Sequence, residues 1–285
     1  AMKVLVTGSE GFLGKHVCAA LKDAGHEVVG LDLVPPADFL ADITKVQPFV
    51  SVDAVIHLAA IASPNLCTAD PSRAFDVNVQ GTSQMLRLAL ESGAKKFVFS
   101  SSAHVYDIPP RYFPTDEVHP LRLNNTYTTT KILGEQLCRL YFENHGLSYT
   151  TLRLFNTYGP GQGLGYFIPD MIAQAKTGEI KLHGGETTKD WVYVDDVARA
   201  FCWAVETVYV GPLNIGTGVE TPLSEIARLI AVHADATLRL VPSDTHTRMR
   251  ADAGRAWRVL NWTPKVDIHG GLRATIEAAC KTVPV

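Results

Sequence analysis

Short apolar runs alternate with longer stretches of helical spacing through the first half of the chain. Residues 3–7 (KVLVT) form a strand-like run that Gly8 ends, and a helical pattern occupies 12–24. Further strand-like runs stand at 27–33, 53–58, 96–100 and 149–155, with helical spacing at 74–92 and 127–145. In 74–92, Phe75, Val79, Met85, Leu86 and Leu90 are available for one buried face. Strands separated by helices require crossover connections, which make the sheet parallel and cover both of its faces. The pattern therefore predicts an α/β chain with a doubly wound parallel sheet. After 155 the regularity weakens. Residues 156–166 (NTYGPGQGLGY) are rich in glycine and turn formers, and helices are predicted at 167–177, Asp195–Val205 and near 222–233. This second part predicts a smaller lobe over the carboxyl edge of the sheet, where open α/β sheets bind ligands.

Composition narrows the function classes. Hydrophobic residues make up 46% and charged residues 19%, a globular balance, and the formal net charge is −3. No basic field exists to attract nucleic acid or anionic lipid, so a ligand phosphate must be held locally by backbone N–H groups or single cations. Five widely spaced cysteines without a CxxC pair predict reduced thiols and a cytoplasmic protein. The ten histidines show no HxxxH or HExxH spacing, so no metal site is predicted. The first apolar run is too short for a secretory signal, and no stretch approaches the ~20 apolar residues of a membrane span.

Gly8, Gly11 and Gly14 follow the first strand and open the first helix, with Phe12 and Leu13 between the last two. A glycine is needed at the tight turn, another where backbone approaches a pyrophosphate, and another where helix meets strand. The helix start adds free N–H groups and partial positive charge. Asp32 ends the second strand about 20 residues further on, where a carboxylate can bond the ribose hydroxyls and repel a 2′-phosphate. NAD is thus predicted over NADP. Between Asp32 and Asp42, Pro35 and Pro36 leave little room for a full helix.

Tyr127 and Lys131 stand four apart on a helix and share a face. An ammonium near a phenol stabilises the phenolate and makes the tyrosine a feasible acid/base. Ser100, Ser101 and Ser102 close a strand at the edge where the crevice is predicted. Taken singly, YxxxK fits a surface pair and the serines fit turn chemistry. In this order with the glycine loop they are far more specific.

Together with His57-Leu58-Ala59-Ala60, Asn78, Ser102-Ala103-His104, Leu152-Arg153-Leu154-Phe155-Asn156, Asp190-Trp191-Val192-Tyr193-Val194-Asp195-Asp196 and Asn214-Ile215-Gly216, these motifs resemble the extended short-chain dehydrogenase/reductase family. The most similar branch is the NAD-dependent sugar-nucleotide epimerase/dehydratase group, and the likeness spans essentially the whole chain. It implies a Rossmann-type NAD-binding domain over 1–157, with 190–215 returning to it. A smaller C-terminal substrate-binding lobe would comprise 158–189 and 216–285. It further implies Tyr127 as acid/base, Lys131 on the nicotinamide ribose and Ser102 on the reacting oxygen. Asp42 and Ile43 would contact adenine, and Leu58, Ala59, Ala60, Asn78 and Ser100 would lie along the cofactor. The implied activity is an epimerase acting on a nucleotide sugar, a UDP-hexose or UDP-uronate at carbon 4, through transient hydride transfer to bound NAD. A net sugar or alcohol dehydrogenase of the same family is the alternative.

The chain departs from its family at several substrate positions. Dehydrating and decarboxylating members carry acidic groups just after the strand-end hydroxyl, where this chain has Ala103 and His104. Lys189 replaces an arginine expected on the diphosphate, and it lacks bidentate geometry. Tyr166 replaces an asparagine, while Asn156 is kept. Arg248 and Arg250 stand near the place of a missing Arg-x-Gly-Asp. The family also implies a homodimer through helices near 75–92 and 127–145. His57, ending a buried strand, is expected to pack rather than ligate.

Overall fold

A computed structural model describes residues 1–45 and 50–281. β1 (Lys3–Thr7) runs into the glycine turn and α1 (Phe12–Asp23), followed by β2 (Glu27–Asp32) and the short β3 (Phe39–Leu40). β4 (Ala54–His57) leads to α2 (Pro64–Ala69), α3 (Pro71–Phe75), one wide π turn at Asp76–Gln80 and α4 (Gly81–Glu91). β5 (Lys96–Ser102) passes through a 3-10 turn at Ala103–Val105 to the long α5 (Thr126–His145) and β6 (Ser148–Leu154). β7 (Asn156–Tyr158), α6 (Phe167–Ala175), β8 (Glu179–His183), β9 (Thr188–Tyr193), α7 (Val194–Ala204) and β10 (Gly211–Ile215) come next. The chain ends with β11 (Glu220–Pro222), α8 (Leu223–Ala234), β12 (Thr237–Val241), α9 (Gly254–Leu260) and α10 (Ile268–Lys281).

Seven strands form one parallel sheet in the order β10-β6-β5-β4-β1-β2-β3. The order reverses between β1 and β4, and their carboxyl ends therefore flank the crevice. Strand periodicity divides the core. Val4 and Val6 face the layer that includes Val17 and Phe201, whereas Leu5 faces the opposite layer with Met85, Leu86 and Phe97. Each such buried side chain is stabilised by roughly 1.5–3 kcal/mol through removal from water.

α5 carries Tyr127 in its first turn and is fixed at both ends. Asn125 accepts from the Thr128 N–H at 3.0 Å while the Thr128 hydroxyl accepts from the Asn125 N–H at 3.1 Å, a reciprocal cap. Gly146, at φ 71°, ends the helix in a conformation that disfavours a side chain. Further along, Glu135 receives the Arg153 Nε and Nη2 N–H groups, at 2.9 and 2.7 Å, and the Ser101 hydroxyl at 2.7 Å. This buried, charge-assisted cluster ties α5 to β6 and to the residue beside Ser102.

The remaining strands form two small sheets, β11-β9-β7 and β12-β8, packed with α6, α8 and α10 around Ile168, Ile180, Ile226 and Leu272. Several details differ from the sequence expectation. The helix expected at 74–92 is broken by the π turn and preceded by α2 and α3, each opened by a capping side chain and a proline: Ser63 accepts from Leu66 N–H and Asp70 from Arg73 N–H. Residues 156–158, expected as turn, leave the large sheet and pair with β9. Ala256 and Trp262, within the stretch assigned to the lobe, instead pack on the large sheet's core, where the indole N–H donates to the Asp196 carbonyl at 2.8 Å. Among the described residues, no helix is long and apolar enough to cross a membrane.

Candidate active site

The glycine turn shows why its residues must be small. Gly8 sits at φ +70°, and a Cβ there would lie 2.8 Å from the Ala59 nitrogen. A Cβ on Gly14 would fall 1.9 Å from the Gly8 carbonyl oxygen. Backbone therefore touches backbone at both points, and α1 begins against the ends of β1 and β4 with its first N–H groups open to the crevice. At the end of β2, the Asp32 carboxylate accepts from the Glu10 N–H at 2.9 Å and the Leu33 N–H at 2.6 Å. Both oxygens are thus oriented by backbone, on the rim of the same crevice.

The crevice is a cleft of about 770 Å³. Gly8, Gly11, Phe12, Leu13, Gly14, Asp32, Asp42, Ile43, Leu58, Ala59 and Ala60 line one half, and Ser100, Ser102, His104, Tyr127, Lys131, Asn156 and Tyr166 line the rest. Asn78 stands behind the wall. Its amide accepts from Ile61 N–H at 2.8 Å and donates to Ile61 O at 3.0 Å and to Thr130 Oγ1 at 3.1 Å, so it joins the β4 loop to α5. The Asp42 carboxylate turns back to the Thr44 N–H and hydroxyl, at 2.9 and 2.8 Å.

At the inner end, Tyr127 and Ser102 are both buried. Ser102 Oγ accepts from the His104 N–H at 3.2 Å, which leaves its own proton to be donated. The electrostatics of Tyr127 differ from the expected pairing with Lys131. Burial pushes the phenol above its ordinary range, opposed by its hydrogen bond with Ser102. The Lys131 ammonium stands 5.8 Å from the Tyr127 ring centroid and donates to the Ser100 carbonyl at 2.9 Å. Burial lowers Lys131 itself to about 8. The shared helix face brings the pair together, and burial overrides the simple phenol–ammonium argument.

His104 is likewise held down, to about 4, first by burial and then by the positive charge of Lys189. It is neutral at physiological pH. His57 bridges the Thr7 hydroxyl at 2.7 Å and the Thr82 hydroxyl at 3.0 Å, deep in the core, and burial lowers it to about 3.

The substrate positions are less convergent. Ala103 points away from the cleft into an apolar cluster with Val105, Tyr106, Phe155 and Met249. Lys189, Arg248 and Arg250 are absent from the cleft lining. Arg248 pairs with Glu220 and lies over the Phe113 ring at 4.7 Å, so its charge is engaged on the exterior. Arg250 borders a separate shallow cavity beside Trp257 and Trp262. Lys189, on β9, is half-buried, and burial lowers its pKa. Sequence reasoning also missed lining residues. Arg73, Gln162 and the segment Ser63–Asn65 border the cleft. The Ser63-Pro64 and Asp70-Pro71 pairs were available as helix-start signals for that segment. Among the described residues, no group of three or more His, Cys, Asp or Glu side chains is placed to hold a metal ion.

A parallel sheet with a glycine turn at its switch point and a Ser/Tyr/Lys set at the neighbouring strand end defines a dinucleotide-dependent enzyme class. The chain belongs to the NAD dependent epimerase/dehydratase family, whose model matches residues 4–216. It is 32% identical over 308 residues to a UDP-glucose 4-epimerase of Mycolicibacterium smegmatis, covering 97% of this chain and 98% of the relative. It is 31% identical over 299 residues to UDP-glucuronic acid decarboxylase 6 of Arabidopsis thaliana, covering 95% and 87%. Among solved structures, the UDP-glucose 4-epimerase of Thermus thermophilus in complex with NAD superposes with a TM-score of 0.88 at 26% identity, covering 99% of this chain and 100% of that one.

Proposed function

We propose that this chain is an NAD-dependent epimerase acting at carbon 4 of a nucleotide sugar, a UDP-hexose or UDP-uronate. The observation that carries the choice of reaction is the placement of acids around the cleft. Among the described residues, the acidic side chains lining it are Glu10, Asp32 and Asp42, all beside the glycine turn and the end of β2. None stands next to Ser102 and Tyr127. Elimination or decarboxylation asks for a proton donor or base near a neighbouring carbon, whereas reversible oxidation at one carbinol needs a single acid/base. The similarity to a UDP-glucose 4-epimerase over nearly the whole chain supports the substrate class.

Gly8, Gly11 and Gly14 would hold the NAD pyrophosphate against the start of α1, Asp32 the adenosine ribose, and Lys131 the nicotinamide ribose. When bound there, NAD supplies a reversible two-electron acceptor beside the sugar carbon. Tyr127 removes the proton of the carbon-4 hydroxyl and later returns it to the oxygen. Because burial keeps the free phenol protonated, proton removal requires positive charge alongside it, of which the Lys131 ammonium is the chain's own source. Ser102 donates its hydroxyl proton to the same sugar oxygen and holds it in line. Asn156 and Tyr166 contact the diphosphate side of the substrate, while Lys189, outside the cleft lining, sets its charge beside His104.

We also infer a homodimer through the faces near 75–92 and 127–145. On α5, Leu133 and Leu140 are exposed two turns apart on one face. Light scattering tests this.

Purified protein incubated with NAD and, in turn, UDP-glucose, UDP-glucuronate and their N-acetyl relatives tests the reaction. Epimers resolved by proton NMR without net NADH support it. No interconversion across the panel, or stoichiometric NADH, overturns it.

A further inference from the structure

His16 lies outside the Ser102–Tyr127–Lys131 set, on the second turn of α1, yet it touches three parts of the cleft's surroundings. Its Nδ1 is 2.7 Å from the Asp195 carboxylate at the start of α7. Its Nε2 is 3.0 Å from the carbonyl oxygen of Pro160. Its ring meets Phe12, a cleft-lining residue, edge to face at 5.8 Å. Both ring nitrogens thus face acceptors only. A neutral imidazole has one N–H and one lone pair, so it satisfies one of these contacts and sets its lone pair against the other oxygen. The imidazolium donates to both.

Pro160 belongs to the glycine-rich segment 159–166. Gly159, Gly161 and Gly165 have φ of 157°, 88° and 91°, and the segment delivers Gln162, Gly163, Gly165 and Tyr166 to the cleft wall. The Gln162 amide ties back to Thr157 O at 3.0 Å, on the adjoining β7. The Pro160 contact instead reaches across to the helix that starts at the glycine turn. We propose that His16, as an imidazolium, is a positioning residue that straps segment 159–166 onto α1 and thereby holds the cleft wall in place.

The surroundings favour the charged ring. The Asp195 hydrogen bond is the largest influence and raises the His16 pKa above 6.5, against a smaller opposing effect of burial. On α7, Asp196 and Arg199 pair with each other at 2.7 Å, and Asp196 also receives the Lys265 and Val266 N–H groups. Segment 159–166 brings no charged side chain, and on α1 itself Lys15 is exposed while Cys18 is half-buried. The strap is therefore complete below the folded pKa of His16 and is lost as pH rises through it. Neutralisation removes the proton from one of the two bonds. The Asp195 carboxylate retains the remaining N–H, so Pro160 is the contact released.

The proposal deepens the cofactor-dependent reading and rests on it only for what the cleft holds. Its test needs no turnover, so the two can fail separately. Hydrogen–deuterium exchange of the full chain without added NAD, corrected for intrinsic exchange, is followed over peptides spanning 159–166 from about pH 6 to about pH 9. Wild-type protection should fall about tenfold, the loss of one charge-assisted bond, with a midpoint above 6.5. In His16→Gln it should be low and flat with pH, while β5 peptides stay unchanged. If that variant fails to fold, Asp195→Asn should move the midpoint downward. A flat wild-type profile, a step that persists in His16→Gln, or an unmoved midpoint in Asp195→Asn overturns the proposal.

Discussion

The two halves of the cleft are built by different means. In the cofactor half, backbone does most of the shaping: glycines let α1 meet β1 and β4, and Asp32 is oriented by two backbone N–H groups. In the half proposed for the substrate, side chains arrive from separate elements: His104 after β5, Asn156 on β7 and Tyr166 before α6, with Lys189 on β9 behind the lining. The first construction tolerates almost no change of residue and needs little beyond local sequence. The second depends on how several segments of the lobe pack, so its residues can change identity while the cleft keeps its shape. Of this chain's departures from its family, His104 and Tyr166 line the second half, and none falls in the first.

The comparison can be broken most severely at the junction of the halves. Tyr127→Phe removes the proposed acid/base and should lower kcat about 1000-fold, within the range for general acid–base groups, while NAD affinity changes less than about threefold because the glycine turn is untouched. Epimer formation by NMR and an NAD titration measure the two. Loss of both together would show that the halves are not separable. Next in size, Gly14→Ala puts a Cβ 1.9 Å from the Gly8 carbonyl. Relieving that overlap costs about 1–3 kcal/mol of strain or displacement, so NAD binding should weaken about 10- to 100-fold and the melting temperature should fall. Unchanged calorimetric NAD binding would refute the backbone-contact reading.

In the substrate half the expected effects are smaller and unequal. Lys189→Met should raise the KM of the nucleotide sugar about threefold, the scale of a charge acting from behind the cleft wall, with kcat nearly unchanged. The His104 pKa, read by NMR, should rise from about 4 but stay below the ordinary histidine value, because burial is its larger cause. Arg248→Ala should alter KM less than about threefold, since that guanidinium is engaged with Glu220 on the surface. A larger effect from Arg248 than from Lys189 would reverse the assignment of charge to the cleft.

The same contrast explains what could be read from the sequence. Gly8, Gly11 and Gly14 are spaced along one turn, and Tyr127 and Lys131 along one helix face, so local geometry places them. The parallel sheet followed from apolar runs separated by helical spacing. The lobe's helices followed in the same way, but its strand pairing did not. β7, β9 and β11 are three to six residues long, and β9 meets β11 in a pairing no periodicity announces, Thr221 opposite Lys189. Arg248 finds Glu220 from 28 positions away, a meeting that local spacing cannot encode. The phenol's response to burial was also out of reach, because the depth of Tyr127 is set by Cys67 and Ala74 from the helices before α4.

The central claim is that the hydrogen at carbon 4 leaves and returns within one cleft, with Tyr127 handling only the hydroxyl proton. UDP-glucose deuterated at carbon 4, incubated with the protein and NAD in ordinary water, tests it directly by NMR and mass spectrometry. The prediction is UDP-galactose that keeps the deuterium at carbon 4, with no net NADH. Product that has exchanged its label with solvent, or label accumulating in released cofactor, would contradict it.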